Sequence, residues 1–377
     1  AVAVEVGEYT YYDLYAGSQK SETKVHKVIV PMSVLDVEKS YTISSTSIIY
    51  RGPYSGIKGR TIKKTYTFNP VDLSDGLNYY AISDTHEYSR AASKTGTYLG
   101  DDLDFLILLG DISSHLEKPE DITIINEIAF KITQGSKPVV YARGNHEVKG
   151  DLADQLYKYV GSKDEKFYYT FNLSGVFGIV LDLGEDHDDG WWEYYDLAHY
   201  DLYRQEQTAF INQVISEAAY DDADVKYRML ISHIPVAFVY DEFLEDLKLA
   251  WTPLLNQIGL DIAVSGHHHQ LLPITRSIPA NTNFLFHENY GEIAKPKEKY
   301  RTDSNFDTFI VSRRSNVQDT KVKENIYGRK ISGLAVVVDF TEKIQNLRYT
   351  NTLKEVVEVV DPYTGVKYQE YNVTLHN

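Results

Sequence analysis

Five short motifs along this chain each set a metal-type ligand beside an apolar run: Asp84-Thr-His86, Gly110-Asp111, Gly144-Asn145-His146-Glu147, His233 and Gly266-His267-His268-His269. In extended backbone residues i and i+2 face the same side. Asp84 therefore pairs with His86, and His267 with His269, leaving His268 turned away. Asp111 follows the uncharged run Phe105-Leu-Ile-Leu-Leu; a carboxylate there is costly to bury unless a cation or hydrogen-bond donors meet it. Its alternative is to cap the helix that follows. His233 on its own reads more readily as a satisfied core histidine than as a ligand. In the Gly144 motif a glycine turn sets an amide oxygen and an imidazole side by side. Each motif alone is weak, but six of the twelve histidines fall in these five motifs. The donors are imidazole and oxygen without thiolate, a set that suits Zn, Mn or Fe rather than calcium or a thiolate zinc site.

Strands must bring these residues together. Tyr79–Ser83, Asp104–Leu109, Pro138–Ala142, Phe177–Leu183, Tyr227–Ser232 and Asp261–Ser265 are short apolar runs of the kind buried on both faces. The five motifs stand at or just after the C-terminal ends of five of them, where ligands gather in open α/β sheets. Helical spacing appears between them at Pro119–Thr133, Tyr203–Ala219 and Phe243–Ile258. Alternating strands and helices predict an α/β layered core. Up to about Val71 the chain reads as all-β, with strands expected at His26–Val34, Tyr41–Tyr50 and Thr61–Phe68, forming a small sandwich-like domain. After Pro273 it turns β-rich again, at Ser332–Phe340, Ile344–Thr350, Val356–Val360 and Lys367–Thr374. The expected division is a β-domain over residues 1–75 and a catalytic domain over 76–377.

Composition sets the outer limits. The 377 residues carry a net charge of −16. That field disfavours nucleic acid, whose affinity comes from Lys and Arg on phosphate. No apolar run approaches the roughly 18–20 residues of a membrane span. With no cysteine, disulfides, thiolate metal sites and cysteine nucleophiles are excluded together. No signal peptide is visible at the start.

In order and type the motifs resemble the calcineurin-like metallophosphoesterase superfamily, with its D-x-H, G-D, G-N-H-[DE], H and G-H-x-H pattern, over residues 84–269. The resemblance implies a four-layer α/β/β/α sandwich, a dimetal centre at the strand ends and a second sheet that the C-terminal β-rich stretch fits. It also implies that Asp84, His86 and His269 bind one divalent ion, that Asn145, His233 and His267 bind the other, and that Asp111 bridges them. His146 would then be the catalytic histidine near the leaving group. The β-domain ahead of the core is similar to that of purple acid phosphatases and their bacterial relatives. So is the stretch running from Leu183-Gly-Glu-Asp through Tyr194-Tyr to Tyr203-Arg-Gln-Glu-Gln. Purple enzymes, however, have glycine where this chain has His86 and a tyrosinate ligand where it has Ser114, which argues against Fe(III)–tyrosinate chemistry.

The expected reaction is hydrolysis of a small phosphorylated substrate. Two divalent ions outweigh Asp84 and Asp111 and reverse the acidic field locally. A water bridging ions about 3.5–4 Å apart would attack phosphorus, and His146 would assist the leaving oxygen. Phosphomonoesters come first as substrates, small phosphodiesters or nucleotides second, and a non-catalytic surface binding protein third. Arg143 is a candidate phosphate contact, with a surface salt bridge as its alternative. Tyr194 and His199 are candidates for a substrate-facing wall alongside Trp191, Trp192 and Tyr195, with packing against the core as the alternative. The layout leads to an expectation of secretion or cell-surface location, and leaves the oligomeric state open.

Overall fold

A computed structural model of the chain describes residues 1–20, 25–240, 242–283, 299–312 and 331–376. Two six-stranded sheets lie face to face, with helices on their outer sides. The first runs in the order Tyr371–Thr374, Ile344–Asn351, Ser332–Asp339, Leu77–Ile82, Phe105–Leu108, Val139–Tyr141. The second runs Tyr169–Leu173, Val176–Leu181, Tyr227–Ser232, Ile262–Ser265, Thr308–Ile310, Leu272–Ile274. In the first sheet Leu77–Ile82, Phe105–Leu108 and Val139–Tyr141 are mutually parallel. So are Val176–Leu181, Tyr227–Ser232, Ile262–Ser265 and Thr308–Ile310 in the second. Parallel strands end together, and this collects the motifs along one rim.

Alternation along each strand fills three layers of core. Tyr79, Ala81, Phe105 and Ile107 share the central cluster with Tyr227, Met229, Ile231, Ile262 and Val264 from the other sheet. Their neighbours Tyr80, Ile82, Leu106 and Leu108 turn outward onto Ile122, Ile125, Ile128 and Ile132 of the Pro119–Thr133 helix. On the opposite side Phe177, Ile179, Leu181 and Leu230 meet Ile211 and Val214 of the Tyr200–Glu217 helix, and Trp251 and Leu255 of the Glu245–Leu255 helix. Because these strands are buried on both faces, they read in sequence as continuous apolar runs. The four-layer α/β/β/α architecture is therefore present as expected.

The C-terminal strands depart from expectation in their placement. Rather than forming a second sheet, Ser332–Asp339 pairs antiparallel with Leu77–Ile82 and extends the first sheet. Ile344–Asn351 and Tyr371–Thr374 follow it outward.

The N-terminal region is a small β-domain built on a four-stranded antiparallel sheet, ordered Tyr9–Tyr12, Val2–Val6, Ser40–Arg51, Gly56–Thr67. The strand expected at His26–Val34 does not form. Residues 25–31 carry no regular structure, and Met32–Glu38 is a short helix beginning after Pro31. Proline lacks the N–H a ladder needs and suits a helix start. Side chains tie this stretch down instead: Lys27 Nζ donates to Tyr157 O and Ser162 Oγ, both at 2.8 Å. The sheet docks on the first helix layer, where Tyr41 donates to Gly135 O at 2.7 Å and Tyr66 meets Phe130 edge-on. Its open-edge strand Gly56–Thr67 carries Lys58, Arg60, Lys63 and Lys64; charge on an edge discourages pairing with another chain.

Candidate metal centre

The rim gathers all seven expected ligands. His269 Nε2 stands 3.2 Å from Asp84 Oδ1 and 3.3 Å from His86 Nε2. Asn145 Oδ1 stands 3.2 Å from both His233 Nε2 and His267 Nδ1. Asp111 Oδ2 lies between these two sets, 3.2 Å from His233 Nε2 and 3.9 Å from His86 Nε2. Donors held about 2.0–2.2 Å from one ion stand roughly 3–3.5 Å from one another, and all of these spacings but the 3.9 Å one match that packing. Asp84 Oδ1 is buried without a well-aligned hydrogen bond, the His269 Nε2 at 3.2 Å missing the geometry for one, a costly state unless a cation faces it. The donor set and the orphaned oxygen both fit a pair of divalent ions, with Asp84, His86 and His269 on one side, Asn145, His233 and His267 on the other, and Asp111 common to both.

The electrostatics lead the same way. Asp84 and Asp111 are fully buried carboxylates side by side. Burial disfavours their charge, but surrounding histidines outweigh it and hold Asp84 well below the usual range and Asp111 at about 2. Burial by itself would lower His233, yet Asp111 and then Asp84 drive it up to about 10. Bound divalent ions would supply the positive charge these carboxylates call for, and His233 would meet them as a neutral ligand.

Backbone strain marks the same residues. Asp84, His86, Asp111, His267 and His269 all take positive φ, between 42° and 75°. Each such non-glycine residue costs of order 1 kcal/mol and persists only where its surroundings impose it. Close approach of two loops is one such constraint. Gly110 has φ +83°, and a Cβ there would lie 2.4 Å from Gly144 N. At Gly144 a Cβ would lie 2.2 Å from Asp111 Oδ1. Gly144→Ala is therefore expected to push Asp111 off its position and weaken metal binding by at least about tenfold while the cores stay intact; calorimetric metal titration and circular dichroism would check this.

Glu147 joins the two loops. Its carboxylate accepts the N–H groups of Asp111, Ile112, Ser113 and Gly144 at 2.8, 2.6, 2.9 and 2.8 Å. Burial and the Asp111 carboxylate raise it to about 7, against the pull of those amides. Sequence reading gave this residue no role, although it closes the Gly-Asn-His motif.

His146 sits at the mouth, its side chain 35% exposed, with Nε2 3.9 Å from Asp111 Oδ2. Its Nδ1 lies 2.9 Å from Ser114 O, so a backbone carbonyl rather than a carboxylate orients the ring. An open cleft of about 550 Å³ lies over this side, lined by His86, Glu87, Tyr88, Ser114, His146 and His269. His268 turns away, as expected, onto the rings of Phe238 and Tyr240.

The three substrate-side expectations do not join this cluster. Arg143 donates from Nε to Asp182 Oδ2 at 2.8 Å, with Nη2 2.7 Å from the same oxygen, and lies over the rings of Phe167 and Tyr203. It is occupied by an ion pair, as its alternative had it, but a largely buried one rather than a surface bridge. Tyr194 is directed to the buried Glu185 rather than to the cleft; burial and that carboxylate raise its phenol. His199 is an exposed residue just before the Tyr200–Glu217 helix and does not line the cleft.

The sequence model of the calcineurin-like phosphoesterase family matches residues 77–271. No curated protein matches the chain. Among solved structures, the purple acid phosphatase PPD1 from yellow lupin (Lupinus luteus) seeds aligns at 14% identity and TM-score 0.48, covering 89% of this chain and 59% of that one. The chain thus spans about three fifths of the lupin protein. PhoD aligns at 12% identity and TM-score 0.47, over 89% of this chain and 77% of its own. GAP50, the anchor in the inner membrane complex of Plasmodium, aligns at 11% and TM-score 0.47, over 80% and 90%. With more than half of its length matched, the chain belongs to the calcineurin-like phosphoesterase family.

Proposed function

We propose that this protein hydrolyses phosphomonoesters with two divalent ions held by Asp84, His86, Asp111, Asn145, His233, His267 and His269. The observation that carries the reading is the convergence of three carboxylate or amide oxygens and four imidazole nitrogens on one rim beneath an open cleft. When bound, such ions neutralise phosphoryl oxygens and supply an activated water. The chain's own part is positional. Asp111 is shared between the two halves, Glu147 fixes the backbone that presents it, and Ser114 O accepts from Nδ1 of His146, aiming Nε2 at the leaving oxygen, to which the doubly protonated ring would give its Nε2 proton.

Charge supports a monoester over a diester. Among the described residues the cleft lining contains no Lys or Arg, and Arg143 is paired with Asp182. With the metal pair as the dominant local positive charge, a dianionic monoester gains more from it than a monoanionic diester. Comparing an aryl monoester with the bis-aryl diester, with and without chelator, tests this. The monoester is expected to turn over faster by at least about tenfold, and chelator to abolish both. A faster diester would reverse the substrate assignment. Hydrolysis of neither ester by metal-loaded protein would point to a binding role.

We further propose the division at residues 75/76, because every ligand lies beyond it, and a secreted or cell-surface location, resting on the domain layout alone. Among the described residues no helix is long and apolar enough to cross a membrane. Cell fractionation and limited proteolysis would test these two points.

A further inference from the structure

The two halves of the centre are unequal in charge. One has Asp84 of its own, whereas the other is built from Asn145, His233 and His267, all neutral donors, and shares only Asp111. Behind this poorer half lie two more carboxylates. Glu185 Oε1 accepts from Asn145 Nδ2 at 3.1 Å, and the Glu185 side chain is fully buried. Asp186 Oδ2 stands 3.4 Å from His267 Nε2. We propose that Glu185 and Asp186 are positioning residues that set the occupancy of the Asn145/His233/His267 half. The proposal rests on the two-ion reading above.

Each contact selects one face of a ligand. An amide has a donor end and an acceptor end; by accepting from Nδ2, Glu185 turns Oδ1 of Asn145 toward His233 and His267. A flipped amide would present N–H groups to a cation. Asp186 draws the His267 proton onto Nε2, which leaves the Nδ1 lone pair facing Asn145 Oδ1. Partners of this kind raise the basicity of a ligating imidazole and fix its tautomer. Together the two carboxylates place negative charge one bond away from a half that has little.

The loop bearing them is held by the next helix. Buried Arg204 donates from Nε to Leu183 O at 2.9 Å and from Nη2 to Glu185 O at 2.5 Å. Gln207 brackets the Asp182 backbone, accepting its N–H at 2.9 Å and donating to its carbonyl at 2.5 Å. Lys149 Nζ lies 3.1 Å from Glu185 Oε2 and fixes the carboxylate from the other side. The Leu183-Gly-Glu-Asp and Tyr203-Arg-Gln-Glu-Gln runs of the sequence thus form one device, a strut from the helix to the metal centre.

Mn(II) titration of metal-free protein, read by equilibrium dialysis and by electron paramagnetic resonance of the coupled ion pair, tests this. The wild type is expected to bind two ions per chain. Glu185→Ala and Asp186→Ala should keep the first ion at wild-type affinity, bind the second about 10–100-fold more weakly, and lose the coupled signal at matched Mn(II). Glu185→Gln, which retains an acceptor for Asn145 but not the charge, should fall between. Should an alanine variant fail to fold by circular dichroism, Glu185→Gln and Asp186→Asn carry the same test. Wild-type affinity for both ions in these variants, or equal loss of both, would overturn the proposal. A wild type that binds fewer than two ions would instead strike the two-ion reading itself.

Discussion

Asp111→Asn is expected to lower kcat/KM by about a thousandfold or more and to remove most of the stabilisation that added metal confers. Asn is nearly isosteric, so its carbonyl can still accept the His146 N–H that Asp111 Oδ1 accepts at 2.9 Å. The four amides on Glu147 do not depend on the Asp111 side chain, and the loop should hold its shape. What disappears is a carboxylate within reach of both halves, 3.2 Å from His233 Nε2 and 3.9 Å from His86 Nε2. An amide that turns its nitrogen toward those donors repels a cation at the point where two ions would share a ligand. Charge stabilisation by a metal pair is worth several kcal/mol, and about 4 kcal/mol corresponds to roughly three decades in rate. In thermal melts, a ligand that binds only the native state stabilises it by RT ln(1 + [L]/Kd). Wild-type Tm should therefore climb with metal concentration, and the variant's should stay nearly flat. A variant whose Tm still climbs as the wild type's does would show that Asp111 is not a shared ligand.

The contrast between what sequence revealed and what it hid follows from the range of the interactions involved. All seven candidate ligands were legible because each follows a largely buried strand, and such strands announce themselves as apolar runs whose ends are easy to locate. The i, i+2 rule then paired Asp84 with His86, and separated His267 and His269 from His268. Glu185 and Asp186 were less legible. They follow a strand too, but their meaning depends on Asn145 and His267, 40 and 81 positions away, and on a helix arginine whose bonds to this loop go to backbone carbonyls. Arg143 misled for a related reason. Its place beside the Gly-Asn-His motif is real, yet Asp182 from the neighbouring sheet claims the guanidinium, and sequence spacing does not report that. The orienting group of His146 was hidden altogether, because a backbone carbonyl carries no side-chain signature. In the β-domain, Pro31 overrode the β-branched pattern of His26–Val34, and a ladder was replaced by side-chain ties.

His146→Ala is expected to lower kcat by about 10²–10⁴-fold while metal content stays at the wild-type level. The separation is expected because the ring, though it packs edge-on against His86, is anchored through Nδ1 outside the ligand set. Its Nε2 is 3.9 Å from Asp111, beyond a hydrogen bond, and its Nδ1 is held by Ser114 O at 2.9 Å. Its backbone N–H, which does bond Asp111, survives the substitution. Loss of a proton donor should hurt most where the leaving oxygen most needs a proton. Across a series of aryl phosphates, the deficit should therefore be largest for phenols of high pKa and should shrink for nitrophenols, which depart as anions. Alkyl phosphates should show the full effect. If His146 served only to shape the cleft, the deficit would be the same for every leaving group and would appear in KM as readily as in kcat. If it were a metal ligand after all, metal content would fall with activity, and excess metal would restore turnover. A leaving-group-dependent loss in kcat, at full metal loading, is the result that assigns proton donation to this ring.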